Sequence, residues 1–166
     1  KVPGYGATIG SLQYFVPKGK SLGANWRDTR PELKKFEGSK AGIRQMDTVK
    51  MMAYIAASDE HVANSRMGGN KGNIFVTKKN PFPVSIGNSK ERVMMIDNAN
   101  SWVHKADLSD SMLPLRFDGR LVNQLKKETH ASWMKFAAPY LGDRQANDAW
   151  NRIQHTLNVA KTRPTW

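Results

Sequence analysis

The sequence predicts an α+β fold that is predominantly helical, with a C-terminal antiparallel helix pair, a small β element and an extended N-terminal arm. Apolar residues recur at helical spacing over the last third of the chain. Short β-prone runs alternate with turn residues over residues 66–100, and glycine and proline crowd the first 45 residues. These patterns divide the chain into an arm, residues 1–44, and a single, mostly helical core domain, residues 45–166.

The composition limits the classes of protein that the chain can represent. Its 166 residues suit one domain with an arm, and 26 Lys and Arg against 14 Asp and Glu give a net charge of +12. The absence of cysteine excludes disulfides, thiolate metal sites and a Cys nucleophile. No apolar run approaches the roughly 18 residues that span a bilayer, and no segment pairs a Lys/Arg face with a broad apolar face, so no membrane partner is expected.

The positive charge is spread along the chain. Residues 1–50 carry a net +6, residues 51–100 a net +2 and residues 101–166 a net +4. Self-repulsion of this size destabilises a compact state unless a partner offsets it. A phosphate backbone does so through counterion release, and we therefore expect a nucleic-acid partner, RNA in particular.

The first segment is predicted to be an extended arm. Its many glycine and proline residues argue against a long helix. One short strand is expected over residues 11–16, before Pro17. Disordered tails are poor in aromatic residues, whereas this segment is not. We expect the arm to dock onto a neighbouring subunit or onto bases, with a disordered terminus as the alternative. The aromatic residues of the arm are Tyr5, Tyr14, Phe15, Trp26 and Phe36.

A helix is predicted over residues 45–58, followed by the β element. Met46, Val49 and Met52 recur at helical spacing, and Asp47 is placed in the first turn, where a carboxylate favours the helix dipole. Over residues 66–100, β-prone runs at residues 74–77, 84–86 and 92–97 are separated by turns and suggest a small antiparallel element.

The last third of the chain predicts two helices. The first runs from about residue 120 to residue 138 and is broken by Pro139 and Gly142, and Asp143 is expected to cap the second. Because the connection is short, the two should pack antiparallel. The first helix has an apolar face formed by Leu121, Leu125, Thr129, Trp133 and Phe136/Ala137. The second has a stripe formed by Ala146, Trp150, Ile153, Leu157 and Ala160, and ends before Pro164.

Other residues of this helical region are placed by the same periodicity. Trp133 and Trp150 are expected in the core, and Pro114 should interrupt the turn that begins at Asp110. The outward faces of the two helices are expected to carry Lys126, Lys127, Lys135, Arg144, Arg152 and Lys161.

Motifs for catalysis are absent from the sequence. The four histidines form no metal-binding pattern, and no cofactor is implied. Residues 67–73 are glycine-rich and basic, but they lack the GxxxxGK[ST] pattern, so we expect at most a non-catalytic phosphate contact there. If the protein is an enzyme, Glu60, His61 and Lys71 are the acid–base and phosphate candidates of a small nuclease.

Basic and aromatic residues interleave in two places, around Trp26 and around Phe75. Cations can neutralise phosphates while rings stack on unpaired bases. The predicted nucleic-acid contacts are Arg27, Arg30, Lys34, Lys35, Lys71, Lys78, Lys79, Lys126 and Lys127.

The sequence therefore favours a non-enzymatic structural protein that binds nucleic acid within a repeated nucleoprotein assembly, such as a viral coat or nucleocapsid subunit. Copies of the chain would contact one another through the arm, and the protein would reside in a virion or nucleoprotein particle. Three alternatives remain: a ribosomal-type protein, a small basic nuclease or toxin domain, and a protein-only assembly factor.

Overall fold

The computed structural model describes residues 20–21, 35, 38–58, 74–77, 92–95, 102 and 108–166, and for the strands it describes the backbone alone. The described residues are predominantly helical. They form four α-helices: α1 (Lys40–Ile55), α2 (Gly119–Leu125), α3 (His130–Leu141) and α4 (Asp143–Val159). A short 3-10 helix, Asp110–Met112, ends before Pro114, where the sequence predicted an interruption.

Three strands are assigned from backbone pairing: β1 (Lys20–Ser21), β2 (Ile74–Thr77) and β3 (Arg92–Met95). They pair antiparallel in the order β1-β2-β3, with Phe75 opposite both Ser21 and Met94. The segments that join these strands lie outside the described residues. The small β element over residues 66–100 and the extended arm therefore stay predictions.

Helix α1 begins earlier than the spacing of its apolar residues predicted. The side chain of Ser39 accepts a 3.0 Å hydrogen bond from the Gly42 backbone, which caps the helix and starts it at Lys40, inside the segment assigned to the arm. Asp47 consequently lies in the middle of α1, and its predicted first-turn position is wrong. The helix ends at Ile55 rather than at residue 58, and Ala57 follows with a φ of 48°.

The helix predicted over residues 120–138 is two helices. Thr129 and Ser132 form a capping box in which each side chain accepts a hydrogen bond from the other's backbone N–H. This cap starts α3 as a separate helix after the turn at residues 126–129. Pro139 does not break α3, which continues to Leu141. The N-cap of α4 is Gly142, with a φ of 81°, and Asp143 is the first helical residue rather than the cap.

Helices α3 and α4 form an antiparallel pair joined by Gly142 alone. The Trp133 indole N–H donates a 2.8 Å hydrogen bond to the carbonyl oxygen of Ala146. His130 lies nearer the start of α3, and its ring lies 5.7 Å from the ring of Trp150, further along α4. Residues earlier in α3 therefore contact residues later in α4, as expected for two antiparallel helices.

The core lies between α1, α2, α4 and the segment that precedes α2. The predicted stripe of α4 is confirmed, since Ala146, Ile153 and Leu157 are buried and Trp150 packs against the core. Trp133 also packs against the core, and Ala137 is the buried residue of α3. Helix α3 is thus an outer layer laid on α4. The buried hydrophobic cluster consists of Met51, Tyr54, Ile55, Leu113, Phe117, Val122, Ile153, Leu157 and Ala160.

Candidate nucleic-acid interface

Three of the nine predicted phosphate contacts lie in the described part of the chain. Lys35, Lys126 and Lys127 are all exposed to solvent. The other six, Arg27, Arg30, Lys34, Lys71, Lys78 and Lys79, lie outside the described residues, as do the nuclease candidates Glu60 and His61.

Lys126 and Lys127 occupy the turn between α2 and α3, and the backbone of this turn is held by local hydrogen bonds. The backbone N–H of Lys126 bonds to Val122 and that of Lys127 to Gln124, each at 3.0 Å. The capping box of α3 follows directly. A fixed backbone therefore presents two adjacent ammonium groups between the C-terminal end of α2 and the N-terminal end of α3.

The carboxylate nearest these lysines in sequence has another partner. Glu128 accepts a 2.7 Å hydrogen bond from the Ser132 hydroxyl through Oε2. The structure records no ion pair from Glu128 to either lysine among the described residues. The ammonium groups of Lys126 and Lys127 are consequently not paired with Glu128.

Two buried carboxylates serve the fold. Asp118 accepts a 2.8 Å hydrogen bond from Arg44 Nε at Oδ2, which also lies 2.8 Å from Arg44 Nη2 in an ion pair, and Oδ1 of Asp118 caps α2. Asp47 accepts a 3.1 Å hydrogen bond from the Trp166 indole. Burial raises the pKa of Asp47, and that hydrogen bond and the nearby cations Lys50 and Arg116 only partly offset the effect.

The remaining described carboxylates also have local structural roles or partners. Asp110 Oδ1 lies 2.5 Å from His155 Nε2. Asp143 lies in the first turn of α4, where its negative charge interacts favourably with the positive end of the helix dipole. Asp148 has an interaction partner as well. The acidic side chains of the described residues are therefore committed to internal contacts and helix ends.

Most described cations, by contrast, lie in solvent. Arg44–Asp118 is the one ion pair between a Lys or Arg and a carboxylate among the described residues. Arg120, on α2, and Lys127, in the turn that follows α2, are both exposed. The exposed Lys and Arg residues are Lys35, Lys40, Arg116, Arg120, Lys126, Lys127, Lys135, Arg144 and Lys161.

The prediction that Arg152 faces outward is wrong. It is buried, and its Nε atom donates a 2.7 Å hydrogen bond to the carbonyl oxygen of Ile55 at the end of α1. Burial lowers the pKa of the Arg152 guanidinium. Its Nη2 atom has no hydrogen-bond partner. Arg152 therefore belongs to the α1–α4 contact and not to a phosphate-binding surface.

Aromatic side chains form a row, running from the core to the surface, that the sequence analysis missed. Ring centroids lie 6.5 Å apart between Trp102 and Trp133, 6.2 Å between Trp133 and Phe136, and 6.3 Å between Phe136 and Tyr140. The inner two rings pack against the core, whereas Phe136 is 68% and Tyr140 82% exposed. Phe136 was expected on the buried face. The available signal was the spacing of residues 133, 136 and 140, which places them on one side of a helix.

The described histidines have ordinary structural partners. His130 Nε2 lies 2.8 Å from Asn147 Oδ1, and His155 stacks on Tyr54, whose hydroxyl pKa is raised by burial. Among the residues that the structure describes, no group of His, Asp or Glu side chains is placed to hold a metal ion. No described helix is long and apolar enough to cross a bilayer.

Comparisons with protein-family models, with curated proteins and with solved structures gave no match for this chain.

Proposed function

We propose that this protein is a non-enzymatic structural protein that binds RNA within a repeated nucleoprotein assembly, such as a viral coat or nucleocapsid subunit. The observation that carries the proposal is the unequal use of charge in the described residues. Most described carboxylates are engaged in caps, ion pairs or hydrogen bonds, whereas most described lysines and arginines lie in solvent without acidic partners. An anionic polymer supplies the missing counter-charge.

The turn at Lys126 and Lys127 is the proposed contact within the helical domain. Its backbone is fixed by the end of α2 and the cap of α3, so binding needs to order only the two lysine side chains and not the backbone that carries them. Phosphate contacts of this kind position a protein on nucleic acid without reading its sequence. We therefore expect binding that depends strongly on salt and weakly on base sequence.

The proposal also includes the arm and the small β element. The arm, residues 1–44, would supply Arg27, Arg30, Lys34 and Lys35 to the RNA and would contact a neighbouring copy. The β element would present Lys71, Lys78 and Lys79. A contact from an arm to a different surface of the next copy is heterologous and generates rings or filaments. The protein would accordingly reside in a virion or another nucleoprotein particle.

Purification of the full chain tests the nucleic-acid partner directly. The ratio of absorbance at 260 nm to that at 280 nm should be high after a low-salt preparation and should fall after a high-salt wash or nuclease treatment. A low ratio at low salt, together with no retardation of added single-stranded RNA, would overturn the proposal.

Two further measurements separate the alternatives. Particles or filaments in negative-stain micrographs support the coat or nucleocapsid form over a ribosomal-type protein. Release of fragments from end-labelled RNA, abolished by His61→Ala, would contradict the non-enzymatic assignment and establish a nuclease.

A further inference from the structure

We propose that the outward face of α3 is a contact surface between two copies of this chain, in which the two α3 helices pack antiparallel across a two-fold axis near Phe136. The contact goes beyond the proposed nucleic-acid function and does not depend on it, because uncharged side chains carry it.

Helix α3 exposes far more apolar surface than its role in the single chain requires. Ala137 is its buried residue, while Phe136 and Tyr140 are largely exposed and Pro139 is also exposed. Contiguous exposed apolar surface of this kind marks interaction sites. Tyr and Trp are also enriched among the residues that contribute most to protein interfaces.

The charge of the surface favours a protein over RNA. Lys135 is the one Lys or Arg among the 12 residues of α3, and residues 136–142 carry no charged side chain. Surfaces that stack unpaired bases place cations along the row of rings to track the phosphates. Here the most exposed rings lie in the uncharged half of the helix, whereas Lys126 and Lys127 lie before its other end.

A second copy is the occupant that fits this pattern of charge. Copies with a net charge of +12 repel each other, so an uncharged face is where they can approach. An antiparallel pairing centred just after Phe136 sets Trp133 of one copy opposite Tyr140 of the second copy. It sets Lys135 opposite Ala138, so that the two like charges do not meet.

A two-fold contact uses the same patch on both copies and closes as a dimer. Such dimers, joined further through the arms, would supply the second contact that an extended assembly needs.

A single-cysteine variant tests the geometry, because the chain contains no cysteine of its own. Phe136→Cys places one thiol beside the proposed axis, where the two Cα atoms should approach the roughly 4.4–6.8 Å that a disulfide requires. Leu115→Cys is the matched control, because Leu115 is 80% exposed and lies outside α3. Under mild oxidation in high salt after nuclease treatment, Phe136→Cys should form covalent dimers much faster than Leu115→Cys. Equal rates would overturn the proposal.

A second pair of variants measures the association itself. In high salt and without nucleic acid, the wild-type chain should have the mass of a dimer by light scattering. Phe136→Asp should weaken the dimer at least about tenfold, whereas Leu115→Asp should not. Circular dichroism and the thermal midpoint of each variant check that the fold is retained, which the exposure of both positions favours.

The outcomes also separate this contact from RNA binding. The proposal expects Phe136→Asp to lose the dimer and to keep its affinity for single-stranded RNA per chain. A wild-type chain that stays monomeric at high concentration would overturn it. Loss of RNA affinity with an unchanged mass would also overturn it, and would assign the aromatic row to base stacking. Failure of RNA binding in the wild type would overturn the proposed function alone.

Discussion

The Nε atom of Arg152 on α4 donates a 2.7 Å hydrogen bond to the carbonyl oxygen of Ile55, the last residue of α1. The final carbonyls of a helix lack partners within the helix and carry partial negative charge, so a guanidinium at this point stabilises the end of α1. The bond joins two elements that are 97 residues apart and lies within the core.

Arg152→Ala should destabilise the protein strongly. The change leaves a cavity and removes a charge-assisted partner from Ile55, and together these should cost about 2–4 kcal/mol in the free energy of unfolding. Arg144→Ala is the matched control, because Arg144 lies on the same helix but is exposed, and it should change stability by less than about 0.5 kcal/mol. Urea denaturation measures both. Equal effects would contradict the structural role of Arg152.

Asp118 should show two separable contributions to stability. Asp118→Asn keeps a side-chain oxygen that can cap α2 but removes the ion pair with Arg44, whereas Asp118→Ala removes both. We expect Asp118→Ala to be the more destabilising by about 1 kcal/mol, the usual value of an N-cap. Chemical denaturation of the two variants at neutral pH gives the difference. If both variants have the same stability, the cap contributes nothing.

Asp47 should make the stability of the protein depend on pH. Because burial raises the pKa of Asp47, the folded state binds more protons than the unfolded state between the ordinary aspartate pKa and the raised one. The contribution of Asp47 to stability therefore falls as pH rises through that window and is constant above it.

Asp47→Asn removes this contribution and keeps an oxygen that can accept the Trp166 hydrogen bond. The stability of the variant relative to the wild type should accordingly increase from acid to neutral pH. Thermal unfolding of both proteins from about pH 3 to pH 7 measures the difference, with the ordinary aspartate pKa near 3.9 as the lower reference. A difference that does not vary with pH would contradict the assignment.

The turn between α2 and α3 should contribute to the salt dependence of RNA binding. Replacing Lys126 and Lys127 together by alanine should lower the slope of log K against log salt by about 1.4, since each lost contact with single-stranded RNA is worth about 0.7. The change should be the same for RNAs of different sequence. Fluorescence anisotropy over a range of salt concentrations measures the slope.

A matched pair of exposed cations elsewhere controls for net charge. Arg144 lies in the first turn of α4 and Lys161 lies just after its end, and both are exposed. Replacing both by alanine removes the same charge as the Lys126 and Lys127 variant. It should reduce the slope less than the Lys126 and Lys127 pair does. Equal reductions would show that binding is diffuse and that the turn is not a specific contact.

Local periodicity determined much of the helical architecture from the sequence. The α4 stripe of Ala146, Ile153 and Leu157 faces the core as predicted, because apolar residues three and four apart share one side of a helix whatever covers it. The same reasoning identified α1 and the antiparallel pair. It missed the break before α3, since the spacing of apolar residues continues across Thr129 while a capping box there interrupts the backbone.

Only the tertiary structure decided which side of a helix is covered and what each charge contacts. Periodicity gives the angle between two side chains on a helix, but the burial of either depends on which element packs there. Phe136 is exposed because, among the described elements, α3 packs chiefly on α4, and Arg152 is buried because the end of α1 reaches it from almost a hundred residues away. The lysines at positions 126 and 127 are exposed, as their charge predicted, because the large cost of burying an unpaired cation keeps such side chains in water.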